Sequence, residues 1–227
     1  MTDSSLAKRA AAQAAADLVQ DGMKIGLGSG STFLLVIDRL AERMRSQGLA
    51  VSGVATSKAT AEAAAAAGIA VIDLDTVDRL DLAIDGADEV DPQKNLIKGG
   101  GGAHVRERIV AAAAKEMVVV VDEAKLVDVL GKVFLLPVEV LQFGWKRTER
   151  LIAATGGKPV RREREGVPFV SDNGNFVLDC KYDGIEDPAW LAQHLDSLVG
   201  VVDHGLFVGM AGRILVGNAA GKVRVIP

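Results

Sequence analysis

The stretch Met23-Lys24-Ile25-Gly26-Leu27-Gly28-Ser29-Gly30-Ser31-Thr32 runs from an apolar segment, through a glycine turn, to a pair of hydroxyl residues. Residues 23–27 have the period of a strand, and residues 32–45, with Leu34, Leu35, Ile37, Leu40 and Ala41, suit a helix. Upstream, Leu6, Ala10, Ala14 and Leu18 stand four apart, so 5–20 reads as an amphipathic helix ended by Asp21-Gly22. Downstream the alternation continues, with strands near 49–56, 70–74 and 81–85 and an alanine-rich helix through Ala67. A helix over about 103–116 and a strand at 117–122 follow. Met117-Val118-Val119-Val120-Val121 is apolar throughout, which calls for cover on both faces. The expected fold class is α/β: a Rossmann-like parallel sheet with helices on both faces.

The texture changes after about Gly131. Strands near 132–140, 158–164 and 175–181, helices near 145–154 and 188–197, and the hairpin signal Asp172-Asn173-Gly174-Asn175 describe a smaller α+β, ferredoxin-like domain. The tail, from Gly205-Leu206-Phe207-Val208-Gly209 onward, returns to short apolar strands. The expected division is a Rossmann-like catalytic domain at 1–131 and 206–227, with the smaller domain inserted at 132–205.

At 227 residues, 49% apolar and 25% charged, the chain can build a sizeable core. A net charge of -4 argues against general nucleic-acid binding, which leaves a basic footprint. No segment reaches the roughly 18 uninterrupted apolar residues of a membrane span. The N-terminal segment, with Asp3, Lys8 and Arg9, lacks the apolar core of a secretory signal, so a cytoplasmic protein is expected. The lone Cys180 excludes an intrachain disulfide and, within Phe176-Val177-Leu178-Asp179-Cys180, reads as buried packing.

Glycines 26, 28 and 30, followed by Ser31 and Thr32, lie between a strand and a helix. Free backbone N–H groups, hydroxyls and the positive end of a helix dipole then meet at one point, which favours a phosphate over a plain capped turn. A dinucleotide fingerprint would need glycine at 31 or 33, where Ser and Phe stand, and no Gly-Lys-Ser/Thr closes a P-loop. A small phosphorylated ligand is the better inference. Lys98-Gly99-Gly100-Gly101-Gly102 repeats the arrangement with a cation attached. Consecutive glycines are entropically expensive, and here they let a ligand touch bare main chain.

Asp85-Gly86-Ala87-Asp88-Glu89-Val90-Asp91 sets four carboxylates after the apolar run Leu82-Ala83-Ile84, at the carboxyl end of a strand where open sheets bind ligands. A solvated acidic loop or a divalent-cation site are the alternatives, though no histidine accompanies the cluster. Glu107 lies about one helical turn beyond Ala103 and can serve as a proton shuttle. Lys125 follows another strand, and Lys8 suits either solvent or ligand.

With these pieces in order, the sequence resembles the type A ribose-5-phosphate isomerase family. The resemblance rests on residues 26–32, Asp85-Gly86-Ala87-Asp88-Glu89, Lys98-Gly99-Gly100-Gly101 with Arg106-Glu107, and Val121-Asp122-Glu123-Ala124-Lys125. Asp172-Asn173-Gly174-Asn175 and Gly205-Leu206-Phe207 extend it over almost the whole chain. It implies interconversion of ribose 5-phosphate and ribulose 5-phosphate, without metal or organic cofactor, in a cytoplasmic homo-oligomer, a dimer being the expected form. It also implies that Glu107 moves a proton between C1 and C2 through a cis-enediolate, stabilised by Lys98 and Asp88, while Asp85 assists ring opening. Ser29, Gly30, Ser31, Thr32, Lys125 and Lys8 would hold phosphate and sugar hydroxyls, with Gly86, Ala87, Gly99, Gly100 and Gly101 lining the sugar. Ser29 stands where Thr is common, and residues 102–105 vary within the glycine loop. His104 is read as a bystander.

Two rivals share the architecture. A non-catalytic sugar-phosphate sensor would keep the phosphate loops but normally carries a DNA-binding segment, and no basic helix-turn-helix precedes residue 23. An acyl-CoA transferase would use a glutamate as nucleophile, yet the Lys-Gly loop suits a small phosphate better.

Overall fold

In a computed structural model that describes residues 3–227, the quoted stretch becomes a strand, a glycine turn and a helix. The chain runs α1 (Asp3–Asp17), β1 (Lys24–Leu27), α2 (Ser31–Gln47), β2 (Ser52–Ala55), α3 (Lys58–Ala66), β3 (Ala70–Val71) and β4 (Leu82–Gly86). Short strands β5 (Glu89–Val90) and β6 (Leu96–Ile97) precede α4 (His104–Ala112) and β7 (Met117–Asp122). Then come β8 (Leu136–Val140), α5 (Trp145–Ala153), β9 (Lys158–Arg161), β10 (Glu163–Arg164), β11 (Val167–Pro168), β12 (Phe176–Lys181) and α6 (Pro188–Asp196). The tail forms β13 (Val201–His204), β14 (Leu206–Phe207), β15 (Ala211–Gly217) and β16 (Val223–Ile226).

These elements divide into two compact units. The first holds the chain up to Ala87, Arg106–Lys125 and Met210–Pro227; the second holds Asp88–Val105 and Leu126–Gly209. The inserted unit is thus larger than the 132–205 read from sequence. The reason is pairing: β5 and β6 bond to each other and β6 to β14, and the Val127 N–H donates to the Val90 carbonyl.

The first unit is a seven-stranded sheet in the order β16-β15-β7-β4-β1-β2-β3. Every neighbouring pair is parallel except β15 with β16, which closes one edge antiparallel. Alternation along the strands assigns the two faces. Ile25, Leu27, Leu82, Ile84, Val118 and Val120 pack with Ala11 and Ala15 of α1 and Phe33, Val36 and Leu40 of α2. Ala83 packs on the other side with Val54 and with Val110 of α4. Each fully buried Ile or Leu contributes about 2 kcal/mol of transfer free energy. The alanine-rich segments are close-packed, with Ala11, Ala12, Ala15 and Ala16 of α1 all fully buried. On the α4 side the approach is closer still, for a Cβ at Gly26 would overlap the Val110 side chain of α4.

The second unit contains a β-α-β-β-α-β run whose antiparallel sheet has the order β13-β8-β12-β9, so it is ferredoxin-like. Leu136, Val138, Leu178, Cys180, Ile152, Leu191 and Leu195 form its core. Burial pushes the Cys180 thiol well up, so it is packing and not a nucleophile. Several element boundaries differ from the sequence reading, and hydrogen bonds give the reason for two of them. Helix α4 stops at Ala112 because Leu80 bonds to Ala113 and Lys115, drawing that stretch alongside it. Strand β8 begins at Leu136, not 132, because the N–H groups of Val133 and Phe134 are committed elsewhere. Among the described residues no helix is long and apolar enough to cross a membrane.

Candidate active site

Because β1, β4 and β7 are adjacent and parallel, their carboxyl ends share one edge of the sheet. That edge brings together residues 28–32 after β1, Asp85 to Ala87 at the end of β4, and Asp122 to Lys125 after β7. Gly30 is the N-cap of α2 at φ 84, a conformation open to glycine, and no side chain caps the helix. The first-turn N–H groups of Ser31 and Thr32 therefore meet no competing side-chain cap, the arrangement that suits an anion. Lys8 of α1 lies 4.0 Å from Asp122, and Lys125 stands one short turn further on.

Asp85 organises this edge. Its Oδ1 accepts the N–H groups of Ser29 at 3.1 Å and Gly86 at 2.8 Å. Gly28 packs so tightly on it that an added Cβ would overlap the Asp85 carboxylate. The Ser29 hydroxyl donates to Oε1 of Glu107, which α4 presents from its first turn. Asp85 and Glu107 are both buried. A buried carboxylate held by one hydroxyl, beside a second carboxylate fixed by main-chain donors, is equipped to take a proton and return it.

The other sequence-predicted residues, Asp88, Lys98, Gly99, Gly100 and Gly101, belong to the second unit. Lys98 is buried, its N–H bonded to the Gly205 carbonyl at 2.9 Å and its Nζ 5.5 Å from the centre of the Phe207 ring. The glycine loop turns through positive φ at Gly99 (100°) and Gly102 (86°). The Gly100 N–H donates to Asp88 at 2.9 Å. His104 packs against Gly99, whose missing Cβ would lie 2.7 Å from Nδ1.

Sequence reasoning missed the arginines that hold this loop, of which Arg164 reaches the Gly101 carbonyl at 3.3 Å. Arg162 Nη1 donates to the carbonyls of Gly99 at 3.0 Å and Gly100 at 3.1 Å. Its Nε and Nη2 grip Asp179 at 2.9 and 2.5 Å. In the sequence Arg162 sits in Arg161-Arg162-Glu163-Arg164-Glu165, a charge run that reads as solvated surface. The acidic stretch also divides by role. Glu89 accepts main-chain N–H groups from Gly131 at 2.6 Å, Val133 at 3.1 Å and Phe134 at 2.6 Å. Asp91 accepts from the backbone of Gln93 and Asn95 and from the Asn95 amide, closing its own turn. Both are structural, which leaves Asp85 and Asp88 as the candidates for chemistry.

A cluster with metal-ligand geometry is Asp196, Asp203 and His204 in the second unit. There the Leu206 N–H donates to Nδ1 of His204 at 3.2 Å, so that nitrogen is already taken, and Nε2 lies 3.2 Å from Asp196 Oδ1.

Residues 52–221 match the family Ribose 5-phosphate isomerase A (phosphoriboisomerase A). A ribose-5-phosphate isomerase A from Thermomicrobium roseum is 52% identical over 217 residues, covering 95% of this chain and 91% of that protein. One from Gluconobacter oxydans is 49% identical over 223 residues, covering 97% and 96%. The solved ribose 5-phosphate isomerase A of Methanocaldococcus jannaschii superposes with a TM-score of 0.92 at 40% identity, covering 96% of this chain and 97% of that one. A D-ribose-5-phosphate isomerase solved in complex with phospho-erythronic acid gives 0.93 at 36% identity, covering 96% of each chain. With the same fold and about half its residues shared along nearly its full length, the chain belongs to the ribose 5-phosphate isomerase A family.

Proposed function

We infer that this chain interconverts D-ribose 5-phosphate and D-ribulose 5-phosphate, with Glu107 as the base, in the non-oxidative pentose phosphate pathway. The activity rests on family membership. The observation that carries the assignment of the base is the Ser29–Glu107 hydrogen bond beside Asp85 at the carboxyl edge of the sheet. In this reading the carboxylate of Glu107 removes the C2 proton of the open-chain aldose, the carbonyl oxygen gains the electron pair, and a cis-enediolate forms. A proton passes from the C2 hydroxyl to the C1 oxygen, and as the C2 carbonyl forms the same carboxyl group returns its proton to C1, so one residue serves both half-reactions.

Lys98 and Asp88 stabilise the enediolate, the cation meeting the developing negative charge and Asp88 a hydroxyl. Asp85 assists opening of the furanose ring. Residues 29–32, Lys8 and Lys125 hold the phosphate, whose binding free energy helps position the reacting end. Gly86, Ala87, Gly99, Gly100 and Gly101 offer the sugar bare main chain. A relative solved with phospho-erythronic acid, a phosphorylated sugar acid, supports a ligand of this class. We take the catalytic domain to be the parallel-sheet unit and the enzyme to be a cytoplasmic homodimer that needs no metal or organic cofactor.

Turnover of ribose 5-phosphate in EDTA tests the reading. Wild type is expected to form the ketose, and Glu107→Gln to lose about a thousandfold or more in kcat. Full activity in Glu107→Gln overturns the base assignment. Light scattering of the intact chain reads the oligomeric state, and a monomer overturns the dimer.

A further inference from the structure

The turn that carries Ser29 is held from a side the reaction does not use. The Gly28 N–H donates to the Ile84 carbonyl at 3.0 Å. The Gly28 carbonyl accepts from Thr60 Oγ1, also at 3.0 Å. Thr60 sits in the first turn of α3 and is buried. Its hydroxyl meets that of Ser57 at 2.9 Å, and its N–H donates to Ser57 Oγ at 3.1 Å.

The proton directions in this chain are fixed by valence. A carbonyl can only accept, so Thr60 must spend its single proton on Gly28. Ser57 must then donate to Thr60, and Ser57 is left to accept the Thr60 N–H. Each hydroxyl gives once, and both are satisfied. No equally good arrangement exists for a slackened turn, because the Gly28 carbonyl would lose a buried donor. Gly28 is one residue from Ser29, which reaches Asp85 with its N–H and Glu107 with its hydroxyl. A displacement of the turn therefore moves both carboxylate contacts together.

We propose that Thr60 is a positioning residue for the isomerisation: by fixing the Gly28 carbonyl it sets where Ser29 meets Glu107. The proposal rests on the reading of Glu107 as the base. It assigns the hydroxyl-rich turn Thr56-Ser57-Lys58-Ala59-Thr60 to the active machinery, although none of its side chains is asked to touch the sugar.

The test is a set of kinetic comparisons on the intact enzyme with ribose 5-phosphate. Thr60→Val keeps the shape and removes the donor. It is expected to lower kcat about tenfold, the scale of one buried hydrogen bond, and to change KM less. Thr60→Ser restores the donor and should return kcat to within about twofold of wild type. In a Ser29→Ala background Thr60→Val should have little further effect, since Thr60 acts through Ser29. Thermal melts accompany each variant, and Thr60→Ala replaces Thr60→Val if the valine variant does not fold. Wild-type kcat in Thr60→Val overturns the proposal. So does an undiminished loss in the Ser29→Ala background, because that is the mark of a general structural role. Glu107→Gln is run alongside: if it retains full activity, the base reading fails and the proposal with it; if it is inactive while Thr60→Val is not impaired, only the Thr60 proposal fails.

Discussion

Two glycine turns lead into helices in this molecule, and they are held in opposite ways. The turn at 28–32 is fastened by strand neighbours: Ile84, Asp85 and, through α3, Thr60. The loop at 99–102 is fastened by guanidinium groups some sixty residues later, Arg162 on the Gly99 and Gly100 carbonyls and Arg164 on that of Gly101. The first clamp follows from sheet order, since β4 and β2 flank β1. The second depends on the register of β9 and β12, which sets Arg162 against Asp179. Glycine serves differently too. Gly28 is bare because Asp85 fills the space beside it, whereas Gly101 has nothing within 4 Å of an added Cβ.

The sharpest way to break this comparison is Gly28→Ala. Its Cβ would overlap the Asp85 carboxylate and the Ile84 carbonyl, so the strand end has to move. We expect about 2–3 kcal/mol of lost stability in urea melts and about a hundredfold or greater loss of kcat. Near-normal turnover would show that the tight turn is not what aligns Ser29 and Asp85.

Arg162→Met comes next. It strips two carbonyls of their donor and leaves Asp179 without its cation, which should cost about 2 kcal/mol in stability and about tenfold in kcat/KM. Unchanged kinetics would mean that the loop keeps its shape without the guanidinium. Gly101→Ala is the complementary change. With open space around it, stability should stay within about 0.5 kcal/mol of wild type. If bare main chain meets the sugar there, kcat/KM falls several-fold, up to about tenfold. An unaltered kcat/KM would remove Gly101 from the ligand surface.

The smallest effect is expected at the other forked ion pair, Arg213 with Glu116, whose two bonds are both 2.5 Å. Its side chains are 38% and 28% exposed, so solvent screens it and the contribution is at most about 1 kcal/mol. The Arg213 hydrogen bonds hold the Glu116 carboxyl below its ordinary 4.5. A lowered folded-state value makes this stability present above pH 4.5 and lost as the pH falls through the lowered value. Arg213→Gln should flatten that acid limb in urea melts and leave kcat alone. A tenfold fall in kcat would show that surface forks and loop-holding forks are not distinct after all.

What could be read from the sequence follows the same line. β1, its glycine turn and α2 were legible because local periodicity and glycine placement agree there, and Met117–Asp122 because an all-apolar run has few other uses. Arg162 was illegible because only strand register separates it from Arg161 in the same charge run. Glu89 looked like part of an acidic cluster, since nothing local reveals that it takes three N–H groups from 131–134. The same bonds explain why β8 starts later than its sequence suggests. Thr60 gave no signal beyond a Ser/Thr start to a helix, and its partner Gly28 lies a whole strand-and-helix unit earlier. The inserted unit was underestimated because two-residue strands such as β5 and β6 have no period to detect.

The central claim is that one carboxylate, Glu107, carries the proton between neighbouring carbons. The most direct measurement is isotope incorporation in deuterated buffer containing EDTA, comparing wild type with Glu107→Gln. The account predicts deuterium at C1 of ribulose 5-phosphate and at C2 of recovered ribose 5-phosphate for wild type, and neither label above background for the variant. Label entering at the wild-type rate in Glu107→Gln would contradict it.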